Sequence, residues 1–207
     1  MSVASLNDAL LDGRLFLAGK PLARGQGALA SGWDALDAAL PWGGFPRGAL
    51  TEILYPLDGV GELDLVLPAW RELMREETLA LVAPPYLPYA PGFAHARLPL
   101  EHLLWIDAPR ERALWAAEQC LRAGCLGGAA VWSGDGDVRP LRRLQLAAEE
   151  GGSIAFLWRP AQHAQNPSPA ALRLQLLQSD SGELRVQVLK NRGAMAQVQS
   201  LRRGRVH

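Results

Sequence analysis

What most constrains this chain is an alternation of two periodicities. Five short apolar runs lie at 49–54 (ALTEIL), 78–83 (TLALVA), 102–107 (HLLWID), 129–133 (AAVWS) and 153–158 (SIAFLW). Stretches with helical spacing separate them, at 61–75, 91–97, 110–123 and 139–150. Strands that are apolar throughout need cover on both faces, and a parallel sheet between two helix layers provides it. The end of the chain reads differently. Runs 171–178 and 183–189 are strand-like and are joined by Ser-Asp-Ser-Gly, which predicts an antiparallel hairpin. The expected fold class is therefore α/β, a mainly parallel sheet with helices on both faces and a C-terminal antiparallel hairpin.

The flanks organise into three parts. Residues 1–30 form an N-terminal helix and linker, 31–195 the core, and 196–207 a basic C-terminal tail. Within 5–17, Leu6, Leu10, Leu11 and Leu15 fall at helical spacing, and a Gly/Ala-rich linker follows. Ser31 is expected to cap a short helix at 32–40, with Trp33, Leu36 and Leu40 on one face. Pro41 ends it, and Trp42 sits in the turn-rich loop beyond.

With 207 residues, 49% hydrophobic and 20% charged, the chain is long enough to bury a core without disulfides or metals. The two lone cysteines, Cys120 and Cys125, suit a reducing cytoplasm and are expected in the core. Charged residues or prolines interrupt every apolar stretch before it reaches membrane-spanning length, and no signal peptide is evident. A cytoplasmic location without membrane contact is expected. The net charge is zero, but beyond Glu183 there is no acidic residue. Arg185, Lys190, Arg192, Arg202, Arg203 and Arg205 make that end wholly basic. A one-sign segment of this kind suits an acidic partner, either nucleic acid or protein.

The first core run leads into EILYPLDGVGELDLVLPAW, where a nucleotide-binding α/β protein carries its phosphate loop. A working loop reads GxxxxGK followed by Ser or Thr. Its backbone N–H groups cradle phosphates, its Lys reaches the β- and γ-phosphates, and its hydroxyl holds magnesium. Here Tyr55 takes the place of the first Gly, and Gly59 and Gly61 lead into Glu62 and Leu63. Glu62 is negative where phosphates need a positive charge, and Leu63 cannot ligand a metal. The helix N-terminus still offers N–H groups, which Glu62 can satisfy itself. This degenerate loop is expected not to bind ATP, and no cofactor or metal is expected.

Other catalytic arrangements are thin. Trp132 and Ser133 end the fourth core run, where an acidic residue would position magnesium. Asp135 and Asp137 follow in a Gly-rich turn, where Asp serves turn geometry. His95, His102, His163 and His207 are scattered, with no HExxH and no G-x-S-x-G elbow. Glu149 and Glu150 read as a solvated helix end. Trp105, Trp132 and Trp158 lie in or at the ends of core runs and are expected to pack there. No catalytic residue is expected.

The succession of segments resembles the RecA core over about residues 28–195. SGWDALDAALPWGGFPRGALTEIL resembles the approach to the phosphate loop, LLWIDAPRERALWAAEQCLRAGCLGGAAVW the strand–helix–strand order that follows, and GELRVQVLKNRGA the strand near the end of that core. Pro84 and Pro85 stand where that family carries a catalytic Glu. The segments matching its DNA-contacting loops, SGDGD and RPAQHAQNPSPA, are short. Along nearly its whole length the chain more closely resembles the ImuA family of bacterial translesion mutagenesis cassettes, in GVGELDLVLPAW, LVAPPYLPYAPGFA, LRRLQLAAEEGGSIAFLWRP, SPAALRL and LKNRG.

That resemblance implies a non-catalytic, damage-inducible accessory protein that binds ImuB, a catalytically dead Y-family polymerase relative, and through it an error-prone polymerase. RecA, DNA without sequence specificity, and a second copy of the chain are further partners it admits. Two alternatives stay open: a SulA-type division inhibitor that binds FtsZ, and an atypical RecA-like NTPase. The residues expected to meet partners are Leu6, Leu10, Leu11, Trp42, Lys190, Arg192, Arg202, Arg203 and Arg205.

Overall fold

The structure, a computed structural model, describes residues 27–134, 137–178, 183–191 and 197–201. In chain order the elements are β1 (Ala28–Leu29), α1 (Asp34–Ala39), β2 (Phe45–Pro46), β3 (Ala49–Tyr55), α2 (Leu67–Leu73), β4 (Leu79–Val82), α3 (Ala90–His95) and β5 (Leu103–Ile106). There follow α4 (Ala113–Arg122), β6 (Gly128–Trp132), α5 (Val138–Gly151), β7 (Ile154–Pro160), β8 (Leu172–Leu177), β9 (Leu184–Lys190) and β10 (Gln197–Leu201). The main sheet has eight strands in the order β10-β9-β8-β3-β7-β6-β4-β5. The strands from β8 to β5 are parallel, and β9 and β10 are antiparallel additions. β1 and β2 form a separate antiparallel pair.

All seven expected strands form, within two residues of the expected bounds. Three features were not anticipated. The β1–β2 pair is too short to leave a periodic signal. β10 lies inside the segment set apart as a basic tail, which therefore does not begin at 196: Gln197–Leu201 pairs in register with Leu184–Val188. The third concerns the helix expected over 61–75. Residues 61–66 are turns, and α2 begins only at Leu67 with Pro68 in its first turn. Proline has no N–H to continue a helix from above, so it marks the start. Ser31 does not cap α1 as expected. Trp33 is the N-cap residue, and the buried Ser31 hydroxyl accepts from the Trp33 N–H at 3.1 Å while Asp37 accepts from the Ser31 N–H at 2.9 Å.

Alternate residues of each strand point to opposite faces. On the first face Ile53, Leu81, Phe156, Trp158, Leu174 and Val186 pack against Trp33, Leu36, Phe45 and Trp70 from α1, α2 and the β1–β2 pair. Trp33, Leu36 and Leu40 share the buried side of α1, as their spacing predicts. Trp70 meets Trp158 and Phe156 edge-on, with ring centroids 5.7 and 6.2 Å away. On the second face Leu50, Val82, Val131 and Leu157 pack against α4 and α5 through Ala117, Leu121, Leu141 and Leu144. α5 ends on a left-handed Gly152, where a residue with a Cβ would be strained. Cys120 is buried in this second layer and Cys125 is half-buried. Both are free, and burial pushes the Cys120 thiol up to about 12.

The N-terminal stripe Leu6, Leu10 and Leu11 lies outside the described residues, as do Arg192, Arg202, Arg203 and Arg205. Among the described residues no helix is long and apolar enough to cross a membrane.

Trp70 is fully buried against the sheet, so Trp70→Ala is expected to lower the unfolding free energy by about 3–5 kcal/mol. Leu146→Ala, on the exposed side of α5, should stay within about 0.5 kcal/mol of the parent. Urea unfolding followed by tryptophan fluorescence checks both.

Candidate functional site

In an open α/β sheet the usual ligand position is the crevice outside the carboxyl ends of the strands, where successive connections leave in opposite directions. Here β3 connects to β4 on one side, and β7 connects to β8 on the other. The loops after β3 and β7, and the one after β6 beside them, therefore frame the candidate site.

The loop after β3 turns through Gly59 and Gly61, both left-handed with φ near +82° and +92°. It closes on itself: both carboxylate oxygens of Glu62 accept from the Gly59 N–H, at 3.2 and 3.1 Å. Leu63 is half-buried and packs against the first-face core. The loop therefore holds its own anion, and the side chain that follows Glu62 is used for packing. Asp58 and Asp64 add two further carboxylates. Tyr55, at the end of β3, has its phenol pushed from its ordinary value near 10 up to about 12, by burial first and then by the negative charges of Asp58 and Glu62. Across the loop the Tyr86 hydroxyl donates to Asp58 at 2.8 Å, which raises its own pKa as well.

A second cluster sits one layer below, within the sheet. Glu52, in the middle of β3, is fully buried. One of its oxygens accepts from Arg159 of β7 at 2.8 Å and the other from Arg173 of β8 at 2.6 Å. Arg173 also donates to the carbonyls of Ala164 and His163, at 3.1 and 2.9 Å. Arg159 lies 3.0 Å from His163 Nδ1. A guanidinium can only donate, so Nδ1 is the acceptor and the ring carries its hydrogen on Nε2. That nitrogen donates to the Gly134 carbonyl at 3.0 Å. One carboxylate thus organises the loop after β7 and, through His163, the start of the loop after β6. The signal was present as a single charged residue inside two apolar runs, Glu52 and Arg173, and one directly after a third, Arg159. Such a charge in a central strand must find a partner.

Gly59, Gly61, Glu62 and Leu63 all belong to the loop after β3. Trp42 lies elsewhere, half-buried against the first-face core, and Lys190 ends β9 with its ammonium on the Ser168 carbonyl at 2.9 Å. The structure does not bring these two together with the loop. Trp158 is buried and Trp132 stacks on it at 4.7 Å, as expected for packing aromatics. Glu150 pairs with Arg122 at 2.7 Å. Asp137 precedes α5 as its N-cap residue without a side-chain cap, and Asp135 lies outside the described residues. Among the described residues no group of three or more His, Cys, Asp or Glu is placed to hold a metal.

The RecA protein of Borreliella afzelii is 34% identical over 106 residues, covering 50% of this chain and 29% of that protein. The RecA protein of Chlorobaculum parvum is 31% identical over 132 residues, covering 63% of this chain and 37% of that one. The chain is RecA-like over half of its length. It spans about a third of the length of these RecA proteins. The crystal structure of SulA from Pseudomonas aeruginosa overlays with a TM-score of 0.47 and 26% identity, covering 53% of this chain and 97% of that one. No family model matches the chain.

Two measurements test the RecA-like core as described. Glu52→Gln keeps the shape but leaves two buried guanidinium groups uncompensated, and is expected to cost about 3–5 kcal/mol in urea unfolding. Tyr55 is expected to titrate near 12 by phenolate absorbance, and Asp58→Asn should bring it down. Because its folded pKa lies above the unfolded one, the unfolded chain loses its proton first. The stability Tyr55 contributes is therefore complete below pH 10 and is lost between about 10 and 12.

Proposed function

We propose that this chain is a non-catalytic RecA-like adaptor of the SOS-induced, error-prone translesion synthesis machinery, and that its partner is the ImuB-type polymerase relative. The observation that carries the reading is the Glu62 carboxylate on the Gly59 N–H. An internal carboxylate takes a donor that a phosphate loop reserves for nucleotide, and no Lys or hydroxyl follows it. The RecA likeness over 106 residues supports a place in the DNA-damage response. The ImuA-like phrases, from GVGELDLVLPAW to LKNRG, support the finer assignment. Without a nucleotide switch, a RecA-like core acts through its surfaces. The basic end from Arg185 onward supplies a field that speeds encounter with an acidic partner and is screened by salt.

Titration with a fluorescent ATP analogue in magnesium is expected to give no saturable binding and no turnover. Micromolar affinity with hydrolysis would replace the adaptor by an NTPase. Co-purification with the polymerase relative is expected from the full chain and is expected to weaken when residues 202–207 are removed. Loss of the partner's association with damaged DNA should accompany it. A chain that fails to retain that partner at low salt is not its adaptor.

A further inference from the structure

Three of the six large apolar side chains that the described surface exposes gather at one place: Tyr86, Leu87 and Tyr89 in the segment after β4. Tyr86, Leu87 and Tyr89 are 67, 74 and 71% exposed. Prolines 84, 85 and 88 interleave them, so the segment can enter neither a strand nor a helix to bury them. Together with Leu67, Phe93 and Ala96 they line an open groove of about 390 Å³. A large apolar groove that stays open in a folded chain marks an interaction site.

The groove is built firmly. Ala83 at the entry of the segment and Arg97 at its exit hold left-handed backbone, with φ of 47° and 59°. They are the two non-glycine residues with positive φ among the described residues. Strain of this kind persists where the surroundings over-determine the conformation, and it concentrates at ligand clamps. The Arg71 side chain of α2 donates to the Ala96 carbonyl at 3.0 and 2.7 Å, which fixes the far wall. The Tyr86–Asp58 hydrogen bond fixes the near one.

Charge decides the occupant. Both charged residues that line the groove are carboxylates, Glu62 and Asp64, with Asp58 beside them. We propose that this groove, walled on one side by the former phosphate loop, docks a segment of a partner protein that combines leucine-like or aromatic side chains with lysine or arginine. The apolar residues fill the space over Phe93 and Leu87. The basic residues meet the carboxylates of the loop after β3. Nucleic acid is repelled by the same carboxylates. The assignment stands on the groove and does not require the partner to be the polymerase relative.

The test uses the full chain and two fluorescein-labelled peptides, one alternating Leu and Phe with Lys, the other identical with Glu at each Lys. Fluorescence anisotropy is expected to give saturable binding of the lysine peptide at least about tenfold tighter than the glutamate peptide, with the difference shrinking in high salt. Leu87→Asp and Tyr89→Ser alter exposed side chains, so the melting temperature should hold while lysine-peptide binding falls at least about tenfold. Leu146→Asp, on α5, should leave it unchanged. Equal affinity for both peptides, no binding, or binding untouched by Leu87→Asp overturns the proposal. So does a concentration-dependent dimer that Leu87→Asp abolishes, which would make a second copy the occupant. Binding that appears only when residues 1–26 are removed also overturns it, by assigning the groove to this chain's own N-terminal segment.

Discussion

One buried carboxylate holds the middle of this molecule in register. Glu52 has no water to solvate it and accepts a guanidinium on each side, from the two strands that flank β3. Such a cluster is weak evidence for stability, because desolvation of three charges offsets much of the attraction. What it supplies is uniqueness. β7 and β8 are separated from β3 by 107 and 121 residues in sequence at these contacts, yet a slip of either strand by one residue would turn its arginine to the other face and strand a bare charge inside. The same arginines continue outward to the His163 ring and to the carbonyls of His163 and Ala164. The loops that frame the crevice are therefore positioned from within the sheet, and depend on that one side chain.

The sheet is covered unevenly, and the residue pattern follows. α4 and α5 lie over β3, β4, β6 and β7 on the second face, where the strand residues are Ala, Val and Leu. Beyond β3 that cover stops. The matching positions are Gln175 and Gln187, directly opposite each other, with Arg185 exposed nearby. The first face stays apolar across both halves, through Leu174, Leu176, Val186 and Val188, because α1 and the segments around it reach as far as β10. A parallel core covered twice and an antiparallel extension covered once are thus one continuous sheet under two rules of composition.

The same contrast explains what the sequence revealed. Apolar runs such as LALV and IAFLW declare themselves because every residue is buried, and the parallel core was legible from them. β10 was not, because a strand reading Gln-Val-Gln-Ser-Leu after a basic stretch resembles a solvated tail until its partner is known. The start of α2 was legible in principle, since Pro68 marks a first turn, but the apolar spacing across 61–75 outweighed it. The Glu52 cluster left only lone charges in or directly after apolar runs, and nothing local says which charges pair. Of the candidate site, Glu62 and Leu63 were readable from residue chemistry alone. The Tyr86–Asp58 contact was not, because it joins loops 28 residues apart.

The loop after β3 is ordered by its own side chains. In a nucleotide-binding loop the backbone N–H groups stay unpaired until phosphate arrives, which leaves the free loop short of partners. Placing a carboxylate in the loop removes that shortage: Glu62 satisfies Gly59, Leu63 enters the core, and Tyr86 braces Asp58 from outside. A loop ordered from within keeps its shape without a ligand. Its negative charge is then carried on a rigid rim, beside apolar side chains that prolines hold out of the core. A hydrogen-bonded acidic rim next to an exposed apolar surface favours recognition of a preformed surface, because both walls are already held by internal hydrogen bonds before any partner arrives.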